Sequence, residues 1–162
     1  MLVLALGLGG CARSASEAPA AAKTVGDWFV IKVGDRPVRM QLAVLQPEMQ
    51  RGLMERRELG RDDGMLFAHV RPSRLSFWMR NTPLPLDIGY FDRAGRLLEI
   101  YPMHPFDETP VPSRSENVQY ALEMNQGWFR ANDVRPGAQL DLAALAAALK
   151  ERGFDPKDFG LP

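Results

Sequence analysis

The sequence has little of what the common enzyme and nucleic-acid-binding classes require. Its 162 residues include one cysteine, Cys11, and two histidines, so no disulfide can form within the chain. The formal net charge is zero, which argues against a nucleic-acid partner because phosphate backbones are held by an excess of Lys and Arg. Gly-rich phosphate loops, paired-cysteine metal motifs and His-Glu-x-x-His helices are also absent. The sequence therefore predicts no cofactor and no standard catalytic motif.

An apolar run occupies the N-terminus. Residues 1–10 read Met-Leu-Val-Leu-Ala-Leu-Gly-Leu-Gly-Gly, and Cys11 follows directly. The run is too short to cross a bilayer as a helix but is about as long as a signal-peptide core. Its end resembles the lipobox of bacterial lipoproteins, in which small residues precede a lipidated cysteine that becomes the first residue of the mature chain. This resemblance implies a lipid anchor at Cys11 on the periplasmic face of a bacterial envelope membrane.

The N-terminal pattern leaves one alternative open. No basic segment precedes the apolar run, so we interpret residues 1–10 as a signal peptide that is truncated at its start. The alternative is a hydrophobic N-terminus with an incidental cysteine. Residues 11–23 lack an apolar period and large side chains, which predicts a flexible tether after the lipidated cysteine.

Residues 24–142 are predicted to form a single β-rich domain. Segments such as 86–91 and 118–125 alternate apolar and other residues with a period of two, and tight turns join most neighbouring segments. Pro47 begins an amphipathic helix whose apolar stripe includes Met49 and Leu53. We expect a mainly β (α+β) fold in which this helix packs on a small, strongly curved or barrel-like, mostly antiparallel sheet. Residues 143–162 predict a C-terminal helix and tail outside the core.

The stretch 76–88 contains an aromatic strand, two prolines and one carboxylate. Pro83 and Pro85 cannot donate to a strand ladder, so the strand must end before them. Asp87 is flanked by Leu86 and Ile88, which favours its burial. A buried carboxylate needs hydrogen-bond donors, and the nearest in sequence are at 80–82.

Several motifs follow one another in order along the chain. They are Arg51-Gly52-Leu53-Met54, Asp63-Gly64-Met65-Leu66-Phe67, Phe77-Trp78-Met79-Arg80-Asn81-Thr82, Pro85-Leu86-Asp87-Ile88 and Leu122-Glu123-Met124-Asn125-Gln126-Gly127-Trp128. Together they resemble the family catalogued as domain of unknown function 192, over about residues 25–142. The resemblance implies a compact, mainly β domain with helices, often exported in bacteria, and it assigns no activity.

Polar residues beside apolar neighbours suggest a binding pocket. The candidate pocket residues are Arg51, Trp78, Asn81, Thr82, Asp87, Glu123, Asn125 and Trp128. With the two tryptophans as walls, they would bind a small polar ligand, such as a peptidoglycan fragment. The chain would then be an accessory module that binds such a ligand or an envelope protein. In the alternative, these residues form an internal network in which Arg51 neutralises Asp87 or Glu123 and Asn81 caps the turn.

The sequence leaves two alternatives to a ligand-binding module, an enzyme and a metal-binding protein. Asp87 and Glu123 would serve as an acid/base pair in a cell-wall hydrolase if their carboxyl groups lie several ångströms apart. Met103 and His104 offer a thioether and an imidazole, which suit copper. Methionine is also a common core residue, so the copper-binding hypothesis rests on this one adjacent pair.

Overall fold

The computed structural model describes residues 21–162, which form one mixed six-stranded sheet, a small two-stranded sheet and a few helices. The strands of the large sheet are β1 Phe29–Val33, β2 Arg36–Ala43, β3 Asp63–Ser73, β5 Leu86–Asp92, β6 Leu97–Met103 and β8 Val118–Asn125. The small sheet pairs β4 Ser76–Phe77 with β7 Val111–Pro112. The helices are α1 Gln46–Arg51, α2 Trp128–Ala131, α3 Leu142–Glu151 and the 3₁₀ helix Pro156–Phe159. The predicted mainly β fold is confirmed.

The large sheet has the strand order β1-β2-β3-β8-β5-β6. All neighbouring strands are antiparallel except β2 and β3, which run parallel. Tight hairpins suffice for antiparallel neighbours, as between β1 and β2, whereas a parallel pair needs a crossover. Residues 44–62 form this crossover and contain α1, which is how the helix comes to lie on a face of the sheet.

The two edge strands of the large sheet are bridged at one end. The Gly34 N–H, just after β1, donates to the Gln139 carbonyl at 2.7 Å, and the Leu97 N–H of β6 donates to the Ala138 carbonyl at 2.8 Å. Residues 138–141 therefore hydrogen-bond to both edges, although strand pairing does not close the sheet. The sheet must be strongly curved for one short segment to reach both.

Period-two alternation in the strands builds a hydrophobic core on each face of the sheet. The first core includes Ile31, Leu66, Leu122, Phe129 and Leu149. The second core includes Phe67, Met79, Ile88, Tyr90 and Ala121. Strand β8 is buried on both faces from residue 118 to 124, so the polar residues on its second face lie inside the protein.

Helix α3 belongs to the first core, and the expectation that it would lie outside was wrong. Its Leu145 and Leu149 are fully buried, because an apolar stripe at helical spacing must be covered. At its start, the Asp141 carboxylate accepts the Ala144 N–H at 3.0 Å. Just after its end, the buried Arg152 donates to the Leu42 carbonyl and, at 2.6 Å, to the Glu48 carboxylate. The C-terminal helix is thereby fastened to α1.

The predicted signal peptide and Cys11 lie outside the described residues. At the end of the predicted tether, the Lys23 N–H donates to the Glu151 carbonyl at 2.8 Å, and the Lys23 ammonium lies 2.5 Å from the Glu151 carboxylate. The chain therefore enters the domain against the end of α3. Across residues 21–162, no helix has the length and apolarity needed to cross a membrane.

Candidate functional site

A row of side chains on the second face of the sheet forms the floor of a groove. Glu123 of β8 lies directly opposite Met65 of β3, so its side chain shares a face with Met65, Phe67 and His69, because alternate strand residues point the same way. This alignment brings a carboxyl group, an aromatic ring and an imidazole onto one surface.

The walls of the groove come from α1 and β4. Phe67 packs edge-on against Phe77 with ring centroids 4.8 Å apart. The groove has a volume of about 200 Å³. Its lining residues are Gln46, Met49, Gln50, Phe67, His69, Leu75, Ser76, Phe77 and Trp78. We call it the α1–β4 groove.

An inner cavity of about 30 Å³ continues from the α1–β4 groove to Glu123. The two spaces share Met49, Gln50 and the aromatic lining, and Thr82 lines the inner one. Gly52 (φ +47°) carries the chain across it, where a Cβ would lie 3.3 Å from the Phe67 ring and 3.9 Å from Glu123 Oε2. A left-handed backbone favours glycine, and the missing side chain leaves the space above the carboxyl group open.

Both titratable groups on the groove floor are held in their uncharged forms. Burial raises the pKa of Glu123 to about 8, so the carboxyl group is mostly protonated at neutral pH. Burial lowers the pKa of His69, which favours the neutral imidazole. Glu123 Oε2 and His69 Nε2 are both buried and have no hydrogen-bond partner among residues 21–162. Such atoms are rare in folded proteins, and here both lie beside the same groove.

The structure brings only some of the predicted pocket residues to this groove. Trp78, which is 45% exposed, lines it, and Thr82 lines the inner cavity. Arg51 also borders that cavity, but its guanidinium points outward and pairs with Glu55 at 3.2 Å, with both side chains exposed. The hypothesis that Arg51 neutralises a buried carboxylate was therefore wrong. Asn81 joins the turn through its carbonyl, which accepts the Glu55 N–H at 2.7 Å.

Asp87 lies on the opposite face of the sheet from Glu123. In the pairing of β5 with β8, Asp87 is opposite Met124, whereas Ile88 is opposite Glu123. Directly paired residues share a face, and successive residues alternate. The two carboxyl groups therefore point away from each other and cannot act together on one bond. This geometry removes the acid/base pair suggested by the sequence.

The buried carboxylate of Asp87 has a different partner from those expected. Its Oδ2 accepts the Gly127 N–H at 2.7 Å, not a donor from residues 80–82. Burial raises the pKa of Asp87, and the Gly127 N–H and the Arg130 charge partly offset this rise. Asp87 thus holds the turn that begins α2, a structural role.

Asn125 and Trp128 lie away from the α1–β4 groove. The Trp128 indole N–H donates to the Asp62 carboxylate at 2.9 Å. The Asn125 amide donates to the Gly60 carbonyl at 2.8 Å. Both side chains fasten the segment before β3, so Trp128 is not a wall opposite Trp78.

Met103 and His104 do not form a shared ligand set. Met103 is buried in the second core, whereas His104 is exposed and lines a separate cavity beside Asp87 and Arg130. In the part of the chain that the structure describes, no three or more His, Cys, Asp or Glu side chains are grouped so that they could hold a metal ion.

Comparison with known proteins places the chain in a family. The model of the DUF192 family, described as Uncharacterized ACR, matches residues 29–142. The chain belongs to the DUF192 family. No curated protein matches this DUF192 chain.

Two crystal structures resemble this DUF192 protein over most of its length. One is a candidate transcription regulator from Sinorhizobium meliloti 1021, with 32% identity and a TM-score of 0.68, covering 70% of this chain and 92% of that one. The other is a protein of unknown function from Novosphingobium aromaticivorans DSM 12444, with 33% identity and a TM-score of 0.68, covering 82% of this chain and 99% of that one. These similarities support the fold.

Four of the motifs that resemble the DUF192 family converge on the α1–β4 groove. The motif at 51–54 borders its inner cavity, the motif at 77–82 borders both spaces, and those at 63–67 and 122–128 supply Phe67 and Glu123. Sequence reasoning missed Gly52, Phe67 and His69 as groove residues. The signal for the first two was their position inside these motifs, whereas His69 carried no local signal of a site.

Proposed function

We propose that this DUF192 protein is a lipid-anchored binding module of the bacterial envelope. In this proposal, its ligand enters the α1–β4 groove and places an uncharged polar group against Glu123. The supporting observation is the buried, unpaired Glu123 carboxyl group at the inner end of an open groove. Leaving a buried polar group unpaired costs about 1–3 kcal/mol, and a ligand that supplies the missing hydrogen bonds recovers that free energy on binding.

The protonation state of Glu123 selects the chemistry of the ligand group. A protonated carboxyl group donates one hydrogen bond through its O–H and accepts others through its carbonyl oxygen. An amide has the complementary pair, a carbonyl that accepts and an N–H that donates. The aromatic rings of Phe67, Phe77 and Trp78 line the approach and suit a methyl group or the flat face of an amide. These features favour an acetamido or peptide amide group, both of which occur in peptidoglycan.

The experiment titrates the full chain with N-acetylglucosamine and with N-acetylmuramyl dipeptide, using calorimetry. Glu123→Leu replaces the carboxyl group by an apolar side chain of similar volume and removes both hydrogen-bonding functions. Binding should therefore be lost, while the melting temperature should stay the same or rise. Asp87→Asn is the matched control, because it alters a buried carboxylate on the other face of the sheet and should retain binding. Unchanged affinity of the Glu123→Leu protein, or no binding of either probe by the wild type, would contradict the proposal.

The lipid anchor at Cys11 has its own test. Expression in a bacterium that processes lipoproteins should yield a chain that begins at Cys11 and carries a diacylglyceryl or triacyl adduct in its intact mass. Cys11→Ala should abolish the adduct and release the protein from the membrane fraction. An unmodified wild-type chain that still begins at Met1 would refute the anchor without affecting the proposed groove.

A further inference from the structure

A second cavity, of about 400 Å³, adjoins the inner cavity. Its lining residues are Glu55, Arg57, Asn81, Pro83 and Phe106. Met54 and Thr82 line the inner cavity, and their direct neighbours in the chain line the second one. The two spaces therefore lie beside neighbouring residues of the same two loops, within the length of two linked groups of one ligand.

The second cavity is bordered by strained backbone. Between residues 21 and 162, four residues other than glycine have a positive φ, and three of them line this cavity: Glu55 (61°), Asn81 (52°) and Phe106 (61°). The left-handed conformation costs such residues about 1–3 kcal/mol each and persists where the surrounding structure enforces it, often at ligand sites. Three unfavourable conformations around one cavity indicate that its shape is maintained at a cost to stability.

Backbone hydrogen bonds fix the three loops of this cavity against one another. The Glu55 N–H donates to the Asn81 carbonyl at 2.7 Å, and the Phe106 N–H donates to the Thr82 carbonyl at 3.1 Å. A third bond runs from the Met79 N–H to the Asp107 carbonyl at 2.8 Å. These contacts hold the Phe106 ring at the surface, where it is 63% exposed.

We infer that this cavity is a second subsite for carbohydrate and that the ligand contains at least two linked sugar units. An exposed aromatic ring packs against the apolar C–H face of a sugar. Glu55 accepts hydrogen bonds, Arg57 donates them and the Asn81 amide does both, which matches hydroxyl groups better than a ligand of one charge. The inference rests on the proposed function, in which the first unit places its acetamido group against Glu123.

The test compares N-acetylglucosamine with its β-1,4-linked tetrasaccharide on the full chain. The wild type should bind the tetrasaccharide at least about tenfold more tightly than the monosaccharide, which corresponds to about 1.4 kcal/mol. Asn81→Gly and Phe106→Gly remove side chains while keeping a residue that readily adopts positive φ. Each variant should lose most of the tetrasaccharide advantage and keep the monosaccharide affinity. Asp133→Gly changes the fourth left-handed residue, away from this cavity, and should bind like the wild type.

The outcomes separate the second subsite from the proposed function. Equal wild-type affinities for the two sugars, or a tetrasaccharide advantage that survives both glycine substitutions, would overturn the second subsite alone. No binding of either sugar would overturn the second subsite, and failure of N-acetylmuramyl dipeptide to bind as well would overturn both proposals. If Phe106→Gly lowers the melting temperature enough to prevent titration, Phe106→Leu retains a large apolar side chain without the flat ring and should show the same selective loss.

Discussion

Replacing Glu123 by Gln should change the pH dependence of stability while preserving the fold. The two side chains have nearly the same shape, and at neutral pH the buried carboxyl group is itself mostly uncharged, since its pKa is raised to about 8. The substitution therefore removes a proton equilibrium and little else. Any difference between the two proteins that grows with pH reports on that equilibrium.

The sign and size of the effect follow from the two pKa values of Glu123. In the unfolded chain the group ionises around the ordinary value of 4.5, whereas in the native state it keeps its proton until about pH 8. The free energy of unfolding therefore falls by up to about 1.4 kcal/mol per pH unit between these values. The contribution is fully present below pH 4.5 and is lost once the pH has passed about 8. At pH 7, Glu123→Gln should be more stable than the wild type by roughly 3 kcal/mol.

The assay is urea unfolding of both proteins at a series of pH values from about 5 to about 8. The pKa of His69 is lowered by burial, so His69 makes stability fall as the pH drops through the ordinary histidine range. This trend is opposite to that of Glu123, which makes stability fall as the pH rises. The effect of His69 is common to both proteins and cancels in their difference. Parallel curves for the wild type and Glu123→Gln would refute the reasoning.

Substitutions at three other principal positions, each followed by urea unfolding, test the packing of the first core and the attachment of α3. Gly89→Ala would place a Cβ 2.8 Å from the Phe129 ring and should lower the free energy of unfolding by about 1–3 kcal/mol. A variant as stable as the wild type would contradict this crowding. Arg152→Met should lower the free energy of unfolding by roughly 3 kcal/mol or more, because the Glu48 carboxylate, 2.6 Å from Arg152, loses its cation. Adding Glu48→Gln should recover part of this loss. No recovery would show that the two residues are not coupled. Asp141→Ala should cost about 1 kcal/mol by removing the cap of α3, whereas Asp141→Asn should retain most of the stability. Equal losses in both Asp141 variants would argue against capping.

Local patterns were enough to predict much of the fold. The alternation around Asp87 correctly predicted a strand with a buried carboxylate, because a period of two assigns side chains to faces without reference to other strands. It could not show that Glu123 points to the opposite face. That relation depends on the register between β5 and β8, and a shift of one residue would reverse it.

Long-range contacts account for the errors. The partner of Asp87 is the Gly127 N–H, 40 residues away, so the predicted donor at 80–82 was wrong. The positive-φ turn at Gly52 follows Arg51, whose guanidinium pairs with the exposed Glu55 four residues further on and not with a buried carboxyl group. The apolar stripe of α3 showed that the helix must pack against something, but the sequence did not specify which surface it covers.

The parallel pairing of β2 with β3 makes one wall of the α1–β4 groove part of a crossover connection. To start β3 in the same direction as β2, the chain must travel back over the sheet, and residues 44–62 do so while forming one wall of the α1–β4 groove. The ladder hydrogen bonds constrain the two ends of this segment, and the Glu48–Arg152 ion pair and the positive φ of Gly52 constrain its middle. If the α1–β4 groove binds a ligand as proposed, a substitution within residues 44–62 changes one wall of the binding site and leaves the strand pairing as it is.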